Sequence, residues 1–181
     1  MEEPSLLLRV NITKDSWNKF LDSPVRNFSD FNDWKSWLHE EQKMYGDPDS
    51  FVDNWGIYLK GSVRDNLEWL YLEYDEKNEI LILSHLFFYV NFGPMLNTVS
   101  ILRGINEFVK PHTHNNFLVV YPYWWGDRDK VGKWADVYIE FDNRKNLLTN
   151  TLNEQNMNLA TEYFNSKDEE WAKFCHKKIY G

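Results

Sequence analysis

The chain contains little cysteine and no long apolar run, and each absence excludes a class of protein. Its single cysteine, Cys175, excludes an internal disulfide framework and a zinc site built from thiolates. The longest apolar stretch, residues 80–90, is interrupted by Ser84 and His85 and is too short to span a bilayer. Residues 1–8 lack the basic region of a signal peptide. We therefore expect a cytoplasmic protein that does not contact a membrane.

Signatures of catalysis and of nucleic-acid binding are also missing. The sequence has no G-x-S-x-G, G-x-G-x-x-G or G-K-[ST] motif, so it indicates neither a nucleophile elbow nor a nucleotide-binding loop. Lys and Arg residues are scattered, apart from Lys177 and Lys178, whereas phosphate binding needs a basic stripe. These observations predict a protein with no cofactor and no nucleic-acid partner, and they favour a binding protein over an enzyme.

Aromatic and acidic residues are both abundant. The 181 residues include 9 Trp, 10 Tyr and 12 Phe, and 28 acidic against 20 basic residues give a net charge of -8. Aromatic rings supply large contact areas at low entropic cost, and carboxylates steer an oppositely charged partner during encounter. The combination is typical of a surface that binds a basic protein.

Local patterns predict strands and helices in the first half of the chain. Alternating apolar residues predict a strand over residues 6–12, and Thr13 as a cap with Pro24 as a terminator predicts a short helix. A second helix is predicted to open at Ser29 or Asp30 and to end at a glycine. The other elements predicted here are strands over residues 55–60, 67–74 and 79–91, the last two joined by a hairpin at residues 75–78.

The second half is predicted to continue the sheet and to end in helices. Residues 116–123 are apolar on both faces, which indicates an interior strand, and residues 134–142 alternate between inward and outward side chains. The predicted helices begin at residues 93–94, near residue 152, and at the capping-box pair Ser166 and Glu169. The pattern predicts one α+β domain over residues 1–181, a mostly antiparallel sheet of about five to six strands with helices packed on one face.

The segment that follows residue 121 is the first candidate for partner binding. Consecutive side chains in a strand face opposite ways, so the two adjacent tryptophans at its end cannot both point inward. An exposed ring beside carboxylates can bind a cation through cation–π contact and charge pairing. The alternative is that both rings cover the sheet edge under the C-terminal helices. The predicted contact residues are Tyr123, Trp124, Trp125, Asp127 and Asp129.

A second candidate is an acidic outer face of the sheet. Glu73, Asp136, Glu140 and Asp142 occupy outward positions of predicted strands, and they share a surface if those strands are neighbours. Paired carboxylates can perform general acid–base chemistry, as in glycoside hydrolases. Outward carboxylates also serve solubility alone. We expect this face to bind protein rather than to catalyse a reaction.

His112 and His114 form the one pair that suggests a metal. Two imidazoles two residues apart can share an ion when their loop is extended. No cysteine and no H-E-x-x-H spacing completes a set of ligands. We therefore expect a solvated loop between a helix and a strand, with no bound metal.

The order of predicted elements resembles that of acyl-CoA N-acetyltransferases, in which a glycine-rich loop opens the central helix and binds pyrophosphate. The matching segment, residues 91–97, reads N-F-G-P-M-L-N and contains one glycine. Pro94 lacks the N–H group that a pyrophosphate would accept a hydrogen bond from. The resemblance is therefore one of topology.

These features lead to one hypothesis and two alternatives. We expect a non-enzymatic protein-binding module, specifically an acidic immunity protein that neutralises a basic toxin domain in a bacterial cell, because opposite charge speeds capture. The first alternative is a small enzyme, either acyltransferase-like or a hydrolase that uses the acidic sheet face. The second is a structural subunit of an assembly, in which aromatic residues form an interface between copies. The sequence leaves the oligomeric state open.

Overall fold

A six-stranded antiparallel sheet with helices on both sides forms the body of the protein. The computed structural model describes residues 4–34, 70–88, 92–123, 135–142 and 145–180. The strands are β1 (Ser5–Asn11), β2 (Leu70–Asp75), β3 (Ile80–His85), β4 (Phe117–Tyr121), β5 (Val137–Asp142) and β6 (Lys145–Leu148). The helices are α1 (Lys14–Asp22), α2 (Phe92–Arg103) and α3 (Glu154–Tyr180), with 3-10 turns at Phe28–Asp30 and Gly104–Phe108.

The strand order is β2-β3-β1-β4-β5-β6, and all neighbouring strands are antiparallel. In the middle of the sheet Leu8 lies opposite both Leu83 and Leu118. Every residue of β4 is buried, as expected for a strand that is apolar on both faces. The α+β class and the antiparallel sheet are confirmed.

The first face of the sheet packs against α1 and α2. Leu6, Leu8 and Val10 of β1 point to this side, because alternate side chains of a strand share a face. The residues that cover them are Trp17 and Phe20 of α1 and Leu96, Val99 and Leu102 of α2.

The second face of the sheet packs against α3. Leu7 and Val119 belong to a separate apolar cluster with Met157, Ala160 and Phe164 of α3. Thus α1 and α2 share one face as predicted, whereas α3 lies on the other. The reason is that β1 and β4 present apolar side chains on both sides, so each face needs a cover.

Side-chain caps fix the starts of α1 and α3. The Thr13 hydroxyl accepts a hydrogen bond from the backbone N–H of Ser16 at 3.1 Å. Thr13 is thus the N-terminal cap of α1, as predicted from the sequence. The Asn153 side chain accepts the backbone N–H of Asn156 at 3.2 Å at the start of α3. Both contacts satisfy backbone donors that have no partner within the first turn of a helix.

The sequence is misleading at Ser166, where a new helix was expected to open. Instead α3 continues through this residue, and the Ser166 hydroxyl donates to the Tyr163 carbonyl at 2.6 Å. Serine side chains in helix interiors commonly bond to the preceding turn in this way. The capping-box spacing is therefore present without a helix boundary.

Other differences concern short elements. Asp30 lies in a 3-10 turn, and the predicted continuation of that helix and the strand over residues 55–60 lie outside the described residues. The edge strand β6 was not predicted. It has only four residues, whose side chains alternate between exposed and partly buried, and so it lacks a clear apolar pattern. After α2 the chain continues as a 3-10 turn that ends at Phe108, before Pro111.

Arg103 is fully buried and connects three parts of the fold. Its Nη1 and Nη2 atoms donate to the Asp33 carboxylate at 2.9 and 2.7 Å, and its Nε donates to the Asn146 side chain at 3.0 Å. The guanidinium also lies over the Phe31 ring at 4.1 Å and near the Trp34 ring at 5.1 Å. A bidentate pair combined with stacking satisfies the planar guanidinium on its edges and its face.

Replacing Arg103→Met should lower the free energy of unfolding by about 3–5 kcal/mol, because it removes the buried guanidinium that donates two hydrogen bonds to the Asp33 carboxylate. The matched control is Arg26→Met, which removes the pair between Arg26 and Glu107, whose side chains are 47% and 58% exposed. That change should cost less than about 1 kcal/mol. Urea unfolding measures both, and similar losses for the two variants would contradict the central role of Arg103.

His85 is a buried histidine at the end of β3. Among the described residues its Nδ1 atom finds no hydrogen-bond partner, and its ring packs edge-on against Phe88 with centroids 5.8 Å apart. Burial lowers the pKa of His85 from 6.5 to about 4. The folded protein therefore holds this imidazole neutral where the unfolded chain protonates it.

Stability should accordingly fall on acidification. Above pH 6.5 the imidazole is neutral in both states, and between pH 6.5 and pH 4 only the unfolded chain takes up the proton. The contribution is about 1.4 kcal/mol per pH unit within this window. In a His85→Gln variant this slope should disappear, as judged by urea unfolding at a series of pH values. Parallel profiles for the variant and the wild type would refute the assignment.

Candidate protein-binding surface

The segment predicted to bind a partner begins in the core. Tyr123 is 8% exposed, stacks on the Phe164 ring with centroids 4.8 Å apart, and donates its hydroxyl to the Asn165 side chain at 2.7 Å. Because α3 covers it, Tyr123 is a packing residue in this structure. The other predicted contact residues of this segment, Trp124, Trp125, Asp127 and Asp129, lie outside the described residues.

The four carboxylates predicted to form one acidic sheet face do not lie together. Glu73 is on β2, and three strands separate β2 from β5, which carries Glu140 and Asp142. At the usual spacing of strands this separation is roughly 19 Å. Glu73 is also paired with Lys167 of α3, and this hydrogen bond raises the pKa of Lys167. Glu73 therefore holds α3 against the edge of the sheet.

On β5, two of the outward side chains, Tyr138 and Glu140, contact α3. Tyr138, predicted to face outward, is 1% exposed, and burial raises the pKa of its hydroxyl. That hydroxyl donates to the Glu140 carboxylate at 2.7 Å and accepts a hydrogen bond from the Asn156 side chain at 2.9 Å. Asp142, at the end of the strand, is exposed. Glu140 is thus part of a hydrogen-bonded contact with α3.

Asp136 differs from the other three carboxylates. Its backbone N–H donates to the Val120 carbonyl at 2.7 Å, which attaches the residue to the end of β4. Its side chain is partly buried, and within the described ranges no cation and no hydrogen-bond donor reaches the carboxylate. Burial raises the pKa of Asp136 to about 6. A carboxylate removed from water without compensation is a common feature of binding and catalytic sites.

The outer side of α3 carries a row of carboxylates, here called the acidic ridge, formed by Glu154, Glu162, Glu169 and Glu170. All four are exposed, and none of the exposed α3 side chains that the structure describes is a lysine or arginine. The one lysine in this part of the helix, Lys167, is turned toward the sheet. This surface is not among the sites predicted from sequence. The sequence feature that could have predicted it is a set of glutamates on the polar side of an amphipathic helix.

His112 and His114 lie in an exposed loop between α2 and β4. His112 and Asn115 both adopt a positive φ of 59°. The His114 carbonyl accepts a hydrogen bond from the Asn11 side chain at 2.8 Å. Arg9 donates to the Asn115 carbonyl at 2.7 Å. The two histidines therefore sit on a loop that β1 holds in place. Among the described residues no group of three or more His, Cys, Asp or Glu side chains is arranged to hold a metal ion.

Grooves on the described surface lie apart from the β5 carboxylates. One, of about 230 Å³, lies between the end of α1 and the second 3-10 turn and is bordered by Arg26 and Glu107. The other, of about 380 Å³, lies along α3 beside Glu154, Leu159 and Glu162. Neither groove includes Asp136 or Glu140 in its lining.

Comparison with known proteins gives no relative for this chain: no protein-family model, no curated protein and no solved structure matches it. Over the ranges that the structure describes, no helix has the length and hydropathy needed to cross a membrane. The chemistry of the acidic ridge and of Asp136 is what bears on function.

Replacing Asp136→Asn should stabilise the folded protein at neutral pH by about 1–2 kcal/mol, a value reduced for the partial exposure of the side chain. The pKa of Asp136 rises on folding from 3.8 to about 6, so the wild type gains stability as pH falls through this window. The advantage of the variant should therefore vanish below about pH 4. Thermal unfolding at several pH values tests this, and a variant less stable than the wild type at neutral pH would contradict it.

Proposed function

We propose that this protein is a non-enzymatic binding protein that captures and neutralises a basic protein, in the manner of an immunity protein that protects a bacterial cell from a toxin domain. The observation that carries this proposal is the acidic ridge, an exposed helix side with four glutamates and no described cation. A net charge of -8 over the whole chain adds to the same field.

Uncompensated charge on an exposed helix acts at a distance. Exposed carboxylates that pair with nearby lysines cancel one another, whereas a row of one sign produces a field that extends about one Debye length, some 8–10 Å in physiological salt. Such a field raises the rate of encounter with a basic protein and repels acidic ones. It also disfavours nucleic acids, whose phosphates carry the same sign.

Neutralising a toxin makes particular use of fast association. An inhibitor must reach its target before the target acts, and opposite charge raises association rates well above the value for neutral surfaces. Many toxin domains are basic because they cleave nucleic acids, which makes them suitable partners for an acidic ridge. The proposal therefore names a basic nuclease-type toxin domain as the partner class.

The test is to neutralise the acidic ridge and measure association. Partner captured from the source cells by crosslinking is purified, and stopped-flow kinetics compares the wild type with the quadruple variant E154Q/E162Q/E169Q/E170Q. We expect the association rate at low salt to fall about tenfold and the dissociation rate to change little. The reason is that the ridge attracts the partner during encounter and adds little to the short-range contacts of the complex. Growth of cells that express the partner should be rescued by the wild-type chain.

The matched control changes the net charge by the same amount elsewhere. The variant D15N/D22N/E76Q/E107Q removes four exposed carboxylates that do not belong to α3. Its association rate should fall less than about twofold, because the field that a charge produces is local in physiological salt. If the control is slowed as much as the ridge variant, net charge alone governs association and the ridge is not a binding surface.

One observation favours the alternative of a small hydrolase. With a pKa near 6, Asp136 has the protonation behaviour of a general acid–base residue. A second carboxylate is needed for glycoside hydrolysis at roughly 5–9.5 Å, and Glu140, four residues along β5, is about 13 Å away. Among the described residues, Asp136 thus lacks the second carboxylate that glycoside hydrolysis needs. Binding is therefore the proposed function.

A further inference from the structure

A groove of about 230 Å³ opens beside the end of α1. It lies between the segment that leaves α1 and the 3-10 turn Gly104–Phe108, on the side of the sheet that α1 and α2 cover. The acidic ridge of α3 lies on the opposite side, so the two surfaces are separate. The groove is here called the α1 groove, and its lining includes Ser23, Val25, Arg26, Asp30, Glu107 and Phe108.

Contacts within the protein fix the walls of the α1 groove. The Ser23 backbone N–H and hydroxyl both donate to the Phe20 carbonyl, at 3.0 and 2.7 Å. The Asp30 carboxylate accepts the backbone N–H of Asn27 at 2.8 Å. On the other wall the Phe108 ring packs against the Phe20 ring with centroids 5.5 Å apart. The groove is therefore formed before any ligand arrives, as small-molecule sites usually are.

Arg26 connects the two walls. Its guanidinium pairs with the Glu107 carboxylate. Its aliphatic stem lies against Gly104, where an added Cβ atom would come within 3.1 Å of the Arg26 Cγ atom. The charge of Arg26 is thus balanced by Glu107, and the carboxylate of Asp30 gives the lining one net negative charge.

The polar groups of the lining accept hydrogen bonds more than they donate them. The Ser23 hydroxyl donates its hydrogen to the Phe20 carbonyl, so its oxygen can accept from a ligand. The contacts named above use Oδ2 of Asp30 and Oε1 of Glu107, and each carboxylate has a second oxygen that accepts. A ligand that satisfies these groups must donate hydrogen bonds and carry positive charge.

We propose that the α1 groove binds a small aliphatic amine in its ammonium form. An ammonium group has three donors and no acceptor, which matches a rim of acceptors with net negative charge. Val25 and Phe108 are half-buried whereas Asp30 and Glu107 are exposed, so the hydrocarbon chain packs inside and the charge stays at the rim. One water takes up about 30 Å³ in the liquid, so 230 Å³ accommodates an amine of several carbons.

An anion and a guanidinium both fit the groove less well. An anion would meet two carboxylates and an arginine that is already paired. A guanidinium bonds best in one plane, with two parallel hydrogen bonds to a single carboxylate. The acceptors of the groove belong to Ser23, Asp30 and Glu107, and the three donors of an ammonium can point to different side chains.

The experiment is an NMR titration of the whole chain with pentylammonium, and with pentanoate as a probe of equal length and opposite charge. Pentylammonium should bind with a dissociation constant of about 1 mM, and pentanoate at least about tenfold more weakly. Asp30→Asn and Glu107→Gln, which keep an acceptor for Asn27 and Arg26, should each weaken pentylammonium about fivefold. The matched control Glu76→Gln removes an exposed carboxylate from the turn after β2 and should change the affinity less than about twofold.

Filling the groove tests the site without a change of charge. Val25→Phe should weaken pentylammonium by at least about tenfold, because the added ring occupies the space of the hydrocarbon chain. Thermal unfolding shows whether this variant is folded, and if it is not, the two carboxylate variants decide. Equal losses for Asp30→Asn and Glu76→Gln, equal binding of pentanoate, or no saturable pentylammonium binding up to about 10 mM would each overturn the proposal.

A further arm separates a free amine from a lysine side chain. Acetyl-lysine methylamide presents the same ammonium on a peptide backbone, and tighter binding of this probe than of pentylammonium would overturn the assignment to a free amine. The groove and the acidic ridge are also tested separately. The quadruple ridge variant should bind pentylammonium as the wild type does, whereas its matched control, which contains E107Q, should bind the amine more weakly.

Discussion

The two central strands carry apolar side chains on both faces, and much of the remaining structure follows from that constraint. β1 and β4 lie side by side in the middle of the sheet, and every residue of β4 is buried. Such strands need a cover on each side, which α1 with α2 supply on one face and α3 on the other. Tyr123 and Tyr138 are buried for the same reason, because α3 crosses the second face over both of them.

The same constraint determines where charge can lie. Since both faces of the sheet are used for packing, carboxylates of the strands either pair with α3, as Glu73 and Glu140 do, or stand at strand ends, as Asp136 and Asp142 do. Among the described residues, the outer side of α3 carries four exposed carboxylates. Exposed charges of this kind act over a distance that salt limits by screening.

Local signals made much of the fold predictable. Alternation marked the strands, and Thr13 marked the start of α1, because these features depend on a few adjacent residues. Periodicity shows that a helix has an apolar stripe, but it does not show which face of the sheet that stripe packs against. The face on which α3 lies could therefore not be predicted from sequence. The site was less predictable, because the separation of Glu73 from β5 depends on strand order, and the partial burial of Asp136 depends on elements that come together only in the fold.

The position of β1 also has a consequence for synthesis. Its neighbours come late, since Ser5 pairs with Tyr121, more than 100 positions further along the chain. At translation rates of about 5–20 residues per second, the ribosome takes roughly 5–20 s to make that partner strand. Meanwhile the edge of β1 that will pair with β4 has no partner, and short apolar segments such as SLLLRVN associate readily with one another. Chaperones that shield the nascent segment, or a slower rate of initiation, should therefore increase the yield of folded protein in cells.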